Sequence, residues 1–224
     1  MKLIIGNKNY SSWSLRPWIA MKVAGIAFDE VVISLDAPDF KERVSKVSGT
    51  GKVPALDDNG VHVWESLAIL EYLAERFPGA RLWPAGPAAR ARARAISSEM
   101  HAGFVPLRRA LPMNMWRPVK RQPLNDDASA NVRRILAMWA DCRSRFGIGG
   151  PFLFGPFCAA DAMYAPVVSR FHTYDVEVDA TARAYMDAVM ALPAWKEWTA
   201  AALKESWVLA VDEVDWPTVL RVNA

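Results

Sequence analysis

Apolar runs and polar breaks alternate quickly over residues 1–80 and slowly after that. Leu3, Ile4 and Ile5 follow one another without a polar break, so residues 2–6 read as a buried strand. A helix is predicted over 14–24, with Pro17 in its first turn and Gly25 closing it. Residues 28–35, rich in Val and Ile, read as a second strand, and 39–46 as a short polar helix. Residues 54–57 and 61–63 flank Asp58-Asn59-Gly60, a strong hairpin signal. Ile69, Leu73 and Phe77 then repeat every four residues, so 65–77 reads as a helix ended by Pro78-Gly79. The resulting order, β-α-β-α-β-β-α, requires a mixed sheet: strand–helix–strand units pair parallel and the hairpin antiparallel.

Residues 82–87 carry two prolines and a glycine and read as a linker, after which every pattern is helical. Helices are expected over 87–111, with Ile96, Met100, Phe104 and Leu107 on one face, and over 126–146, 160–172, 180–192 and 194–207. Two domains follow from this, an α/β unit over 1–80 and an all-helical unit over 87–224.

The composition of the 224 residues, 52% hydrophobic and 23% charged, is that of a folded chain. A net charge of +3 is too small to argue for nucleic acid, and Arg90, Arg92 and Arg94 on a helix spread around its axis as a solvated face. The only cysteines, Cys142 and Cys158, make no disulfide framework. The N-terminal apolar run is too short for a signal peptide, and no stretch is long enough to span a membrane, so a cytoplasmic protein is expected. His62, His101 and His172 lack ligand spacing, so no metal is expected. No Gly-x-Ser-x-Gly elbow supports a hydrolase.

Three short motifs carry candidate chemistry. Ser11, Ser12 and Ser14 follow the first strand and precede a helix, where unpaired N–H groups and the helix dipole attract an anion. The same serines read equally as a helix cap. Ser48-Gly49-Thr50-Gly51-Lys52 fails as a phosphate loop, because Val53-Pro54 follows the lysine and a proline disfavours a helical residue before it. Val53-Pro54 opens a strand, either as a cis peptide exposing the Val53 backbone to an extended peptide or as an ordinary edge proline. Glu65-Ser66 starts a helix, where it caps the helix or holds a ligand carboxylate.

In this order and spacing, Ser-Ser-x-Ser-x-Arg, Val53-Pro54 and Glu65-Ser66 resemble the cytosolic glutathione transferases, closest to their serine-type, zeta-like members. The resemblance covers nearly the whole chain. It implies a thioredoxin-like first domain, glutathione as co-substrate, a small electrophile as second substrate, a homodimer, and no nucleic-acid or membrane partner. It places Val53 on the cysteinyl backbone of glutathione beside the cis Pro54, Glu65 and Ser66 at the γ-glutamyl end, and Lys52 at the glycine carboxylate. It makes Ser11 the donor to the glutathione sulfur, with Ser12 next and Tyr10 third, and Arg16 structural. With no cysteine before residue 142, mixed-disulfide chemistry in the first loop is disfavoured, and conjugation or isomerisation remains.

For the acceptor, the resemblance points to a cleft between domains, with Tyr10, Trp13, Met100, His101, Phe104 and Arg108 as candidate walls; the Met and aromatic stripe of Met100 and Phe104 reads also as core packing, and His101 and Arg108 also as solvent-facing. His101 and Arg108 suit a substrate carbonyl or carboxylate. The chain departs from the family at Cys158, where a Ser or Thr usually caps a buried helix three residues before Asp161. A non-catalytic member of the fold, binding glutathione or apolar ligands or serving as an interaction module, is the alternative function.

Overall fold

The computed structural model describes residues 1–216 and 219–221. Strand β1 (Lys2–Ile5) is central, pairing parallel with β2 (Asp29–Val32) and antiparallel with β3 (Ala55–Asp58). Strand β4 (Val61–Trp64) closes the sheet in the order β2-β1-β3-β4. Both faces of β1 are covered, which explains its unbroken apolar run. Leu3 and Ile5 face the main core, while Ile4 packs with Ile33, Val44 and Ala55 on the other side. Val44 comes from α2 (Phe40–Ser45), which covers that second face. The hairpin turns at Asn59 and Gly60, with φ of 53° and 91°, the two positive values that a tight turn matching strand twist requires.

Helix α1 (Ser12–Val23) lies on the main-core face beside α3 (Ser66–Arg76), burying Leu15, Trp18 and Ile19 completely. It begins two residues earlier than the sequence suggests, so Pro17 is interior rather than in the first turn. Lacking an N–H, Pro17 leaves the Trp13 carbonyl without its usual helical partner. Several serines in a row offer competing caps, and Ser11 takes the position.

From residue 87 on, the described residues form α4 (Pro87–Ala102), α5 (Val105–Ala110), α6 (Asp126–Phe146), α7 (Ala159–Thr173), α8 (Ala180–Ala191) and α9 (Pro193–Ala202). The expected single helix over 87–111 is broken. Gly103 leaves the helical region and Phe104 adopts φ +60°, because Pro106 has no N–H for the turn before it. The expected helix over 194–207 ends at Ala202, and the chain beyond folds back toward the first loop. Arg92 pairs with Asp141 at 2.5 Å and Arg94 with Glu71 at 2.8 Å, so the arginine run brackets α4 to its neighbours rather than facing only water.

Helix α7 is the hub, buried along almost its whole length and packed on α1 and α4. Its start is a capping box: Cys158 holds the N-cap position and the Asp161 carboxylate accepts the Cys158 N–H at 2.8 Å. The same carboxylate accepts Leu153 N–H at 3.0 Å, so it satisfies two buried donors and does most of the capping. Cys158→Ser is therefore expected to be neutral or stabilising, because a hydroxyl is the better acceptor. A clear fall in thermal midpoint would reject this assignment. Burial pushes the Asp161 carboxyl up to about 6, against the pull of these two N–H groups. Since that lies above the unfolded value of about 4, Asp161 stabilises most at low pH, and this contribution is lost as pH rises through 6. The thermal midpoint of wild type minus that of Asp161→Asn should fall between about pH 4 and pH 7; a difference independent of pH would contradict the burial argument.

Candidate active site

The loop from Gly6 to Ser11 is pinned from several directions. The Asn7 carbonyl accepts the N–H groups of Tyr10 and Ser11, and its side-chain oxygen accepts Leu35 N–H at 2.8 Å. A side chain at Gly6 would have to displace Leu35, since a Cβ there would stand 2.6 Å from Leu35 Cδ2 and 3.3 Å from Ser11 Cβ. Ser14 Oγ accepts the Gly6 N–H at 3.1 Å and the Ser11 hydroxyl at 2.7 Å. The last serine is thus the structural one, tying loop to helix, and Ser11 rests on it. Ser12 makes no side-chain hydrogen bond among the described residues.

Two adjoining cavities meet at this loop. A cavity of about 200 Å³ is lined by Trp13, Thr50, Lys52, Val53, Pro54, Glu65, Ser66 and His101. The other, about 380 Å³, is lined by Tyr10, Ser11, Ser12 and Trp13, by Lys52 and Val53, and by Arg108, Arg170 and Asp212 among others. Trp13, Lys52 and Val53 line both. The Val53-Pro54 peptide is cis, and the Val53 N–H and C=O make no hydrogen bond among the described residues. Glu65, a wall of the smaller cavity, holds φ +69°, a costly conformation for a side-chain-bearing residue. Ser66 is buried directly behind it.

His101, expected on the acceptor side, lies instead in the Glu65–Ser66 cavity, with Nε2 3.4 Å from Glu65 Oε2 and its ring edge-on to Trp13. Met100 and Phe104 are core side chains and line neither cavity. The Tyr10 hydroxyl donates to the Glu213 carboxylate. Burial, then that carboxylate, pushes the phenol well above its ordinary value, so Tyr10 is a neutral wall that keeps its proton, and the hydrogen bond it can donate is taken by Glu213.

The second cavity is strongly cationic. The Arg16 guanidinium stacks on Trp13 at 3.8 Å, with Arg108 5.1 Å from the same ring. Arg16 is fully buried, donates from Nε to the Met163 carbonyl at 3.1 Å, and leaves both Nη atoms unpartnered. Arg108 Nη1 is likewise buried and unpartnered. Burial, then Arg170 and Arg108, pushes Arg16 well below the usual arginine range. Arg170, anchored by Nε to the Leu111 carbonyl at 2.7 Å, is pushed down to about 10 by burial and then by Arg108. Arg108 and Arg170 line this cavity with Arg16 buried close by, and guanidiniums crowded out of water in this way favour an anion that enters.

Sequence reasoning missed Arg170 and Asp212. An arginine within the apolar stretch of α7 was the available signal for the first. Asp212 lies in a segment without periodicity, and only the folded chain brings it here.

Residues 10–76 match the family model described as glutathione S-transferase, N-terminal domain, and residues 122–201 its C-terminal domain. The chain belongs to the glutathione S-transferase family. It is similar to glutathione S-transferase L1 of Arabidopsis thaliana, 28% identical over 73% of this chain and 64% of that relative. It is also similar to maleylacetoacetate isomerase of Rattus norvegicus, 40% identical over 43% of this chain and 46% of the relative. The chain therefore spans less than two thirds of the length of either. Among solved structures, a glutathione transferase homolog from Burkholderia gl BGR1 with bound glutathione superimposes with a TM-score of 0.70, at 23% identity over 90% of this chain and 97% of that one. The transferase fold, a thioredoxin-like sheet unit followed by helices, is thus shared. Among the described residues no helix is long and apolar enough to cross a membrane, and no three His, Cys, Asp or Glu side chains cluster so as to hold a metal ion.

Proposed function

We propose that this glutathione S-transferase family member holds the backbone of glutathione in its smaller cavity, ionises the thiol beside Ser11 at the edge of the larger one, and delivers the thiolate to a small, acid-bearing electrophile there. The carrying observation is the pair of cavities that share Trp13, Lys52 and Val53 as walls, with Ser11 and Ser12 lining the larger one beside that shared wall. An extended tripeptide laid along this line pairs its cysteinyl backbone with the free N–H and C=O of Val53. Its γ-glutamyl ammonium then meets Glu65, its carboxylate meets Ser66 at the start of α3, and its glycine carboxylate meets Lys52.

The sulfur reaches the start of α1. There the Ser14 hydroxyl rotates to donate to Ser11, and Ser11 donates to sulfur, so Gly6 N–H, Ser14 and Ser11 form one polarised chain. A thiolate so held has a lowered pKa, and its lone pair attacks the electrophilic carbon. In conjugation a leaving group departs. In isomerisation the sulfur adds to a conjugated double bond, the bond rotates, and the sulfur leaves again. Arg108 and Arg170 hold the acceptor's carboxylate. The same reading makes the protein a cytoplasmic homodimer; sedimentation of the purified chain tests the dimer, and cell fractionation tests the location.

Retention on immobilised glutathione and turnover of an acid-bearing electrophile test the proposal together. Retention without turnover on any electrophile would favour the non-catalytic reading, and absence of both would reject the glutathione site.

A further inference from the structure

We propose that Asp212 is a specificity-determining residue: its carboxylate sets the charge of the acceptor cleft and so how strongly the protein prefers anionic electrophiles. The proposal rests on the glutathione-transferase reading above and goes beyond it in naming what limits that preference.

Asp212 is carried by the segment that folds back after α9, and both sides of it are tied down. Upstream, Glu205 accepts the N–H groups of Lys8 and Asn9 at 2.6 and 2.9 Å. Downstream, Glu213 accepts from Tyr10 and, at 3.0 Å, from Asn114 Nδ2. The Asp212 backbone carbonyl also accepts from Asn114 Nδ2, at 3.3 Å. The backbone and its neighbours therefore hold the turn, and the Asp212 carboxylate is not needed for it.

That carboxylate makes no hydrogen bond or ion pair among the described residues, although it is partly buried. It lines the larger cavity together with Arg108 and Arg170 and is the one acidic side chain among the residues lining it. An aspartate placed against guanidiniums without contacting them lowers the positive potential of the space between them. An incoming carboxylate then feels Arg108 and Arg170 attract and Asp212 repel, whereas a neutral acceptor feels little of either. Like-charge opposition of this kind is a common source of discrimination between ligands.

The test compares Asp212→Asn and Asp212→Ala with wild type, using full-length protein of verified thermal midpoint. Glutathione binding is measured by calorimetry, and kcat/KM is measured for chlorodinitrobenzene and its carboxylate analogue chlorodinitrobenzoate. In both variants the ratio of kcat/KM, benzoate over neutral, is expected to rise about tenfold. The rise should shrink as salt is added. A ratio unchanged in both variants, with glutathione still bound, would overturn the role of Asp212 alone. Wild type that binds no glutathione would overturn the underlying reading and this assignment with it.

Discussion

Ser11→Ala lowers kcat/KM for any electrophile by roughly a hundredfold, the usual cost of removing one preorganised donor from a developing or held anion. The loss should fall on kcat, because Glu65, Ser66, Val53 and Lys52 still bind the tripeptide. Ser14→Ala should show a smaller loss in kcat together with a lower thermal midpoint, since Ser14 Oγ also satisfies the Gly6 N–H. Ser12→Ala provides the contrast. Its hydroxyl has no partner to relay through, and if it proves the costlier substitution the two serines exchange roles. Steady-state kinetics at saturating glutathione separate these outcomes.

Arg108→Met is expected to leave the thermal midpoint unchanged or raise it, while reducing kcat/KM for a carboxylate-bearing electrophile about tenfold or more relative to a neutral one. Burial pushes Arg108 below its ordinary value, and its Nη1 is buried without a partner. Its charge also opposes the buried Arg16 and Arg170. Methionine keeps much of the side-chain volume against Trp13 and removes both burdens. A cationic group that destabilises its own surroundings is what a site kept for an anionic ligand requires. A large fall in thermal midpoint, with no change in acceptor preference, would make Arg108 a structural residue instead. Thermal denaturation and paired acceptor kinetics on one preparation decide between them.

Much of the sheet unit was legible because its signals are local. Asn59-Gly60 can hardly be anything but a tight hairpin, and Leu3-Ile4-Ile5 announces a strand covered on both faces. The break between α4 and α5 was not read, because the apolar spacing of Ile96, Met100, Phe104 and Leu107 runs straight across it. Pro106 was the overriding signal there. At the site, Val53-Pro54 and Glu65-Ser66 are dipeptides whose geometry is set by backbone rules, and the fold brings both to one cavity. The relation of Ser11 to Ser14 is different in kind. Both serines fit a helix start, and only the seating of the Gly6 loop decides which is anchor and which is free to turn. His101 sits with Glu65 rather than in the acceptor cleft because α4 ends just beyond it and the chain turns away at Gly103. Asp212 and Arg170 come together from segments with no local motif at all.

The most direct measurement of the central claim is the thiol pKa of bound glutathione, read from thiolate absorbance across a pH titration of the wild-type complex and of Ser11→Ala. A free thiol of this type titrates at about 8.5. Wild type should hold the bound thiol at least about one unit lower, and Ser11→Ala should return it toward the free value while glutathione stays bound. A bound thiol that titrates like the free one in wild type, or stays depressed without Ser11, would contradict the account.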